Sequence, residues 1–343
     1  MKIICSDGPK IGNTESLYKL YQAGMDTIRF NFSHADYNTT AQLMKFAREN
    51  CPNLEILQDL QGVKLRVSQN FPREIKVLPG QDHIIFCSEQ TYQAVRHDNS
   101  GKVFVPIQFD GEFSALQGTK TILMKDATME FKVEGMQNEM ILTTVTKGGI
   151  IRARKAINAP GMDRSNLDLT EKDQQDLLWG LEHGVDIVCL SFVCNSEQIK
   201  KMKDFILKEG KIKKNSMPKI WAKIETREGV DNFSSILRSV DGIMLGRGDL
   251  APEIGIYEVP EVQAELLKKM KKNKKDFIIA TQVLESMTRS QVPNRAELND
   301  IYYCIQNNAS GFMLTAETGI GWHPVLAVKT LKDMIDRYGP KNA

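Results

Sequence analysis

Short apolar runs that each end in a polar residue or glycine recur along this chain, with helix-like stretches between them. Eight runs have this form: Lys2–Ser6, Thr27–Phe32, Leu54–Leu57, Ile187–Val193, Ile220–Ile224, Ile243–Leu245, Phe277–Ala280 and Gly311–Leu314. Near-continuous apolar character, without alternation, is typical of parallel strands that are buried on both faces. Eight strand–helix units over about 250 residues predict an α/β fold, a (β/α)₈ or TIM barrel.

The pattern changes between Arg66 and about Lys155, where short alternating segments are separated by turn residues such as those of Asp98–Gly101. We predict strands at Glu74–Val77, His83–Cys87, Lys120–Met124, Glu130–Val133 and Met140–Val145. The expected division is therefore a first barrel part at 1–66, an inserted β-barrel lid domain at 67–154 after the third strand, and a second barrel part at 155–343. An insertion there lies on the catalytic face, which suits a lid, although a decorative insertion is the alternative.

Composition narrows the class of protein. The net charge of +2 gives no reason to expect nucleic acid or a membrane as a partner. No apolar run approaches the length of a membrane-spanning helix. The six cysteines contain no C-x-x-C pair, and several lie in apolar runs, which favours reduced, buried thiols in a cytoplasmic protein over disulfides or zinc.

Two carboxylates stand at the ends of predicted strands that are neighbours along the chain. Glu225 and Asp249 would emerge side by side if those strands are adjacent and parallel, and two such carboxylates suit a hard cation such as Mg²⁺. Lys223 could reach the same substrate as a cationic or acid group. The alternative is that each run is a buried strand that ends in a solvated charge.

Other polar side chains also follow the predicted strands. In TIM barrels, the catalytic residues lie at the carboxyl ends of the strands. The full set is Ser6, Pro9, Arg29, Asn31, Ser33, His34, Asp59, Ser191, Lys223, Glu225, Arg247, Gly248, Asp249, Thr281, Gln282, Thr315 and Glu317. The set is cationic and rich in hydroxyls, which suits a phosphorylated or carboxylated substrate. It lacks a nucleophile–histidine pair and a histidine metal cluster, which counts against acyl transfer and zinc hydrolysis.

These motifs resemble those of the pyruvate kinase family over nearly all of the barrel. The matching segments, six in order, make the resemblance specific. They are Arg29-Phe-Asn31-Phe-Ser33-His34, Ala222-Lys-Ile-Glu225, Arg247-Gly-Asp-Leu250, Thr281-Gln-Val-Leu-Glu-Ser-Met287, Pro293-Asn-Arg-Ala-Glu297 and Met313-Leu-Thr-Ala-Glu317.

The resemblance implies roles for individual residues. Glu225 and Asp249 would bind Mg²⁺ or Mn²⁺, which bridges phosphoenolpyruvate, while Lys223 and Arg29 would contact the transferred phosphoryl group. Phosphoryl transfer depends mainly on positioning and charge neutralisation, which such residues provide.

The remaining implied contacts involve both substrates. The backbone around Gly248 and Asp249, with Thr281, would hold the substrate carboxylate, and Thr281 resembles the position linked to protonating the enolate. Pro9 and His34 fall where the family contacts ADP or ATP. Arg66 and Lys172 do so as well, although ordinary surface charge is the alternative for these two.

One local difference concerns a monovalent cation. The family's K⁺ site uses residues matching Asn31, Ser33 and Asp59, followed by a threonine where this chain has Leu60. Lys64 stands where potassium-dependent members carry glutamate, and its ammonium has the charge of K⁺. The pairing resembles the potassium-independent branch, so we expect K⁺ not to be required.

The expected function is therefore transfer of the phosphoryl group of phosphoenolpyruvate to ADP. Two alternatives stay open: a Mg²⁺-dependent barrel enzyme acting on another enol phosphate or keto acid, and a non-catalytic relative that binds a metabolite. Residues around the site that differ from the family's pattern, such as Ala251-Pro252 and Asp7, bear on substrate detail more than on reaction class. Full-size relatives also carry a C-terminal regulatory domain, which we do not expect here, and a homodimer through barrel surfaces is a possible assembly.

Overall fold

A computed structural model of the chain describes residues 1–97, 100–167, 169–210 and 217–340. It divides into two compact units. The first comprises Met1–Gly62, Glu171–Gly248 and the chain from Tyr257 onward, and the second comprises Val63–Thr170 and Asp249–Ile256. The domain boundaries drawn from the sequence stay a prediction, because compactness alone does not show where an independently folding domain begins. Part of the turn predicted at Asp98–Gly101, residues 98 and 99, lies outside the described residues.

Parallel strands close into a barrel in the first unit. With strands and helices numbered in chain order, the barrel strands are β1 Lys2–Ser6, β2 Thr27–Asn31, β3 Glu55–Leu60, β13 Ile187–Leu190, β14 Lys219–Ile224, β15 Gly242–Gly246, β16 Asp276–Ala280 and β17 Gly311–Leu314. Their order around the barrel is β1-β17-β16-β15-β14-β13-β3-β2, and each neighbouring pair is parallel. The predicted TIM-barrel fold is confirmed.

Helices alternate with these strands. They are α1 Thr14–Ala23, α2 Tyr37–Asn50, α4 Glu171–Glu182, α5 Ser196–Glu209, α6 Arg227–Asp231, α7 Phe233–Ser239, α8 Arg247–Ile254, α9 Val259–Met270, α10 Arg295–Gln306, α11 Ala316–Gly319 and α12 Pro324–Tyr338. A 3₁₀ helix spans Glu285–Thr288. Side-chain caps fix several helix starts, as at α5, where Asn195 and Gln198 form a reciprocal capping box that satisfies otherwise unpaired backbone N–H groups.

The interior of the barrel is a closed apolar core. Its side chains come from alternate strand positions and include Leu57 of β3, Trp221 of β14 and Met244 of β15, all fully buried. Each such side chain contributes about 1.5–3 kcal/mol relative to an exposed one. Because strand side chains alternate with a period of two, Lys223 continues the inward face of Trp221 towards the carboxyl end of β14. The polar side chains of the candidate site therefore lie directly beyond the apolar core, at the carboxyl ends of the strands.

The second unit is built around a smaller barrel of mostly antiparallel strands. These are β4 Leu65–Val67, β6 Ile84–Ser88, β7 Val103–Gln108, β8 Thr121–Met124, β9 Met129–Gln137, β10 Met140–Lys147 and β12 Ala156–Asn158. They close in the order β10-β6-β7-β4-β12-β8-β9, with only the β6–β7 pair parallel in the part of the chain described. The predicted inserted β-barrel is confirmed as an architecture.

Smaller elements complete this unit. They are β5 Ile75–Val77 paired with β11 Gly149–Ile151, the helix α3 Glu89–Val95, and a 3₁₀ helix at Phe113–Gly118. Phe86 and Phe131 meet edge to face in the core, with ring centroids 5.1 Å apart. This arrangement adds about 0.5–1.5 kcal/mol beyond the burial of the rings.

All six cysteines are buried and free. Within the described ranges, every helix is too short or too polar to cross a membrane.

Candidate active site

A buried cluster of charged side chains lies at the carboxyl ends of β2, β3 and β14. The guanidinium of Arg29 donates from Nε to the Asp59 carboxylate at 2.7 Å and from Nη1 to the Ser6 hydroxyl at 2.8 Å. The ammonium of Lys223 lies 3.3 Å from an oxygen of Asp59 and 3.3 Å from one of Glu225. None of the four charged residues is more than 9% exposed. The four residues belong to the set predicted at the strand ends, and the structure brings them into contact.

The charges in this cluster stabilise one another. Burial alone would raise the pKa of Asp59, but the charges of Lys223 and Arg29 outweigh it, so the pKa lies below its ordinary value. Burial likewise acts to lower the pKa of Lys223, and the carboxylates of Asp59 and Glu225 reverse that and raise it. Asp59, Lys223 and Arg29 are therefore ionised at neutral pH. The formal charges of the four side chains sum to zero.

Glu225 is fixed by the backbone around it. Its Oε2 accepts the backbone N–H of Phe192 at 3.1 Å, and Phe192 has a left-handed backbone, with φ of 55°. A Cβ added to Gly246 would lie 2.5 Å from Oε1, so this glycine leaves the space that the carboxylate fills. The carboxylate predicted as a metal ligand is thus held in one orientation.

Asp249, the second predicted metal ligand, belongs to the second unit. Both of its carboxylate oxygens lie 2.8 Å from the ammonium of Lys64. Burial lowers the pKa of Arg66, and the negative charge of Asp249 partly offsets this shift. Arg66 also donates from Nη1 to the carbonyl oxygen of Arg154 at 3.3 Å. Lys64, whose ammonium was predicted to take the place of K⁺, therefore pairs with Asp249, a predicted metal ligand.

Carboxylate oxygens fit a hard divalent cation. Asp249 already binds a cation in this structure, the Lys64 ammonium, and Glu225 Oε1 lies 3.3 Å from another, the ammonium of Lys223. The chemistry of each carboxylate thus fits Mg²⁺ as a ligand. That the two share one ion stays a prediction. Among the described residues, no three His, Cys, Asp or Glu side chains converge as a metal cluster.

Gly248 and Thr281, both predicted to hold a substrate carboxylate, lie against each other. A Cβ added to Gly248 would lie 2.8 Å from Thr281 Cγ2, closer than van der Waals contact allows. Glycine at this position therefore allows the close approach of the threonine side chain.

A cavity of about 500 Å³ opens beside the charged cluster in the first unit. Its lining includes two predicted nucleotide contacts, Pro9 and His34, together with Arg29 and Asn31. This volume is within the range of small-molecule sites. The structure thus places two of the four predicted nucleotide residues at one cavity, whose lining also includes Arg29.

Lys172, another predicted nucleotide contact, is not in that lining. Its ammonium donates to the carbonyl of Phe32 at 2.7 Å and to Asp176 at 2.5 Å. Of the predicted cation-site residues, Asn31 accepts the backbone N–H of Ser33 at 3.2 Å. The roles of these residues stay predictions.

Several polar residues near the site have contacts that the sequence did not reveal. Asp7 lines the cavity and accepts the backbone N–H of Asn31 at 3.1 Å, and its pKa is raised by burial. Buried Glu317 accepts the backbone N–H groups of Leu284 and Thr315, at 2.9 and 2.8 Å, and so ties two loops together. An acid at each position was visible in the sequence, but its partner was not.

A TIM barrel with a buried, neutral Arg–Asp–Lys–Glu cluster beside a ligand-sized cavity defines a barrel protein suited to an anionic ligand. Comparison with known proteins is more specific. Residues 1–328 match the family model described as pyruvate kinase, barrel domain. The chain therefore belongs to the pyruvate kinase barrel family.

Similar curated proteins are named pyruvate kinase. The one from Chlamydia pneumoniae is 36% identical over 339 residues, covering 97% of this chain and 67% of its own length. The one from Bacillus licheniformis is 33% identical over 342 residues, covering 98% and 56%. The one from Thermoplasma acidophilum is 32% identical over 335 residues, covering 98% and 57%. The chain thus spans between 56% and 67% of the length of these relatives.

Proposed function

We propose that this protein transfers the phosphoryl group of phosphoenolpyruvate to ADP, giving pyruvate and ATP. The observation that carries the proposal is the buried cluster of Arg29, Asp59, Lys223 and Glu225 at the strand ends. Phosphoryl transfer needs fixed positive charge around the moving group and little other protein chemistry. A guanidinium and an ammonium that are both locked by carboxylates meet that need without reorganising during the reaction.

The charge balance of the cluster supports a metal requirement. Its two cations and two carboxylates sum to zero, so a multiply charged enol phosphate would enter without net compensation. Glu225 and Asp249 would supply oxygen ligands to Mg²⁺ or Mn²⁺, which when bound adds the missing positive charge and polarises phosphoryl oxygens.

The proposed reaction has a balanced course. The bond between the phosphorus and the enol oxygen breaks, and a bond forms between that phosphorus and a β-phosphate oxygen of ADP. The enolate left behind takes a proton at its methylene carbon and becomes pyruvate. Arg29 and Lys223 hold the phosphoryl group, while Gly248 and Thr281 face the carboxylate end and Thr281 delivers the proton through water.

The nucleotide is assigned to the cavity lined by Pro9 and His34. This assignment is supported by the presence of Arg29 in the same lining, because a guanidinium can contact the phosphate that passes between the two substrates. Arg66 and Lys172 remain proposed contacts for the nucleotide phosphates.

A pyruvate-forming assay tests the proposal. The full chain is incubated with Mg²⁺, a nucleoside diphosphate and phosphoenolpyruvate, and pyruvate is measured with a coupled dehydrogenase. We expect pyruvate only when both substrates are present. Turnover with a different enol phosphate or a keto acid would favour another barrel reaction. Binding of Mg²⁺ and phosphoenolpyruvate without turnover of any nucleotide would favour a non-catalytic protein.

We also propose that the activity does not require K⁺. Leu60 is fully buried and offers no side-chain oxygen where related proteins place a threonine, and Lys64 supplies a fixed positive charge. Replacing a large organic cation by K⁺ at constant ionic strength should change the rate by no more than about twofold, a difference that residual screening effects can produce. A many-fold activation would contradict this prediction.

The homodimer predicted from the sequence remains a proposal. Sedimentation equilibrium of the full chain at several concentrations tests it.

A further inference from the structure

The segment that follows β16 has a strained backbone. Thr281 and Gln282 both have left-handed φ angles, of 73° and 54°. Thr281 is β-branched, and a branched Cβ makes this region unfavourable, so such residues persist only where the surrounding structure holds them. Neither residue is glycine, so the conformation must be maintained by contacts from elsewhere.

The side chain of Arg247, the first residue of α8, makes those contacts. Its Nε and Nη2 donate to the carbonyl oxygen of Thr281 at 3.1 and 2.7 Å, and Nη2 also donates to the carbonyl oxygen of Gln282 at 3.1 Å. One planar guanidinium therefore holds two consecutive carbonyl groups. A lysine ammonium, which acts as a point charge, cannot reproduce this fork.

The other edge of the guanidinium is anchored by two neighbouring helices. Nη1 of Arg247 donates to the side-chain oxygen of Gln263 on α9 at 3.1 Å and to the carboxylate of Asp300 on α10. The amide of Gln263 in turn donates to Asp300 at 3.2 Å. The Arg247 side chain is only 12% exposed, so its guanidinium is largely shielded from water. Arg247 is thus a rigid link between the helix layer and the strained segment.

We propose that Arg247 is a positioning residue for the reaction assigned above: it holds the left-handed backbone at Thr281 and Gln282, so that the Thr281 side chain stays against Gly248 and faces the substrate. This inference rests on the proposed function. The contact with Gly248 supports it, because a Cβ there would lie 2.8 Å from Thr281 Cγ2 and leaves the threonine little freedom. Arg247 acts through Thr281 and needs no contact of its own with substrate.

Replacing Arg247 by glutamine tests the proposal. We expect kcat to fall about 10²-fold, the loss that a misplacement of about 1 Å can cause. The KM for ADP should change less than about threefold, because the nucleotide cavity lined by Pro9 and His34 does not include this segment. Arg48→Gln is the matched control, since Arg48 also donates to a backbone carbonyl and to a carboxylate, those of Gly184 and Asp186. It should retain wild-type kcat.

A double-mutant cycle separates positioning from general loss of structure. If Arg247 acts through Thr281, the variant Arg247→Gln/Thr281→Ala should match the kcat of Thr281→Ala alone within about threefold. Multiplicative losses would overturn the proposal, because they would show that Arg247 acts independently of Thr281. A wild-type kcat in Arg247→Gln would overturn it too.

Amide hydrogen exchange gives a readout that does not depend on activity. Exchange should become faster at Thr281–Leu284 in Arg247→Gln and stay unchanged there in Arg48→Gln. If the wild-type chain transfers no phosphoryl group, the proposed function fails, and exchange alone decides this inference: equal rates in both variants would overturn it, and local acceleration would support it. If Arg247→Gln does not fold, Asp300→Asn, which weakens the anchor of the guanidinium, is tested by the same cycle and exchange.

Discussion

Replacing Lys223 by methionine should lower kcat for phosphoryl transfer by about 10³-fold, the loss typical when a fixed donor to a developing charge is removed. Methionine keeps much of the side-chain volume and removes the ammonium, which lies 3.3 Å from both Asp59 and Glu225. The phosphoryl group would then meet two carboxylates and only one fixed cation, Arg29. Steady-state pyruvate formation measures the effect.

Lys219→Met is the matched control for this prediction. Lys219 lies on the same strand, four residues earlier, and its ammonium pairs with Glu55 at 2.7 Å, but its side chain is 52% exposed. It lies at the start of β14, away from the strand ends, so its replacement should leave kcat unchanged. Full activity in a folded Lys223→Met protein would show that the proposed mechanism is wrong.

The second large effect is expected for Asp59→Asn. This change leaves the guanidinium of Arg29 and the ammonium of Lys223 buried without their shared carboxylate. Removing one partner of a buried ion pair costs about 3–5 kcal/mol, so the free energy of unfolding at neutral pH should fall by that amount. Denaturant unfolding measures it, and the change of kcat in the folded variant shows whether Arg29 depends on Asp59 for its position.

The pH dependence of this effect has a definite sign. Because the pKa of Asp59 is lower in the folded protein than in the unfolded chain, its charge stabilises the fold at pH values above the unfolded pKa, about 3.9. That stabilisation is lost as the pH falls through the folded pKa. The difference in stability between wild type and Asp59→Asn should therefore be constant from about pH 5 to 8 and shrink below about pH 4.

Asp186→Asn provides the control for stability. Asp186 pairs with Arg48 at 2.8 Å, but both side chains are more than a third exposed. The carboxylate of Asp186 also accepts the backbone N–H of Ile56 at 2.7 Å, a bond that the side-chain oxygen of asparagine can still accept. Exposed pairs contribute about 0–1 kcal/mol, so this variant should remain close to wild type. An Asp59→Asn protein as stable as wild type at pH 7 would mean that the buried cluster does not hold the charges described here.

The barrel was predictable from sequence because its signal is local. Most of its strands are short apolar runs, and in β13 (Ile187–Leu190), which is fully buried, no alternation obscures the run. The inserted barrel was predicted less completely. The segments of β4 and β12 have only three residues each, too few for a period to show, and β7 contains Pro106, which speaks against a strand unless its position needs no N–H donor.

The sequence predicted which residues form the site, but it did not predict which of them contact one another. Glu225 and Lys223 could be placed at a strand end from the sequence, but the pairing of both Lys223 and Arg29 with Asp59 depends on the register between strands. The contribution of Arg247 was hidden for another reason. The left-handed backbone at Thr281 that it holds is a tertiary feature, and no glycine at that position signals it.

The most direct measurement of the central claim follows the phosphorus atom itself. ³¹P NMR of the full chain with Mg²⁺, phosphoenolpyruvate and ADP should show the enol phosphate signal decline while the γ-phosphate signal of ATP rises by an equal amount, and Lys223→Met should show neither change on the same timescale. A rise of inorganic phosphate in place of ATP, or no change with the wild-type protein, would contradict the assignment of phosphoryl transfer to ADP.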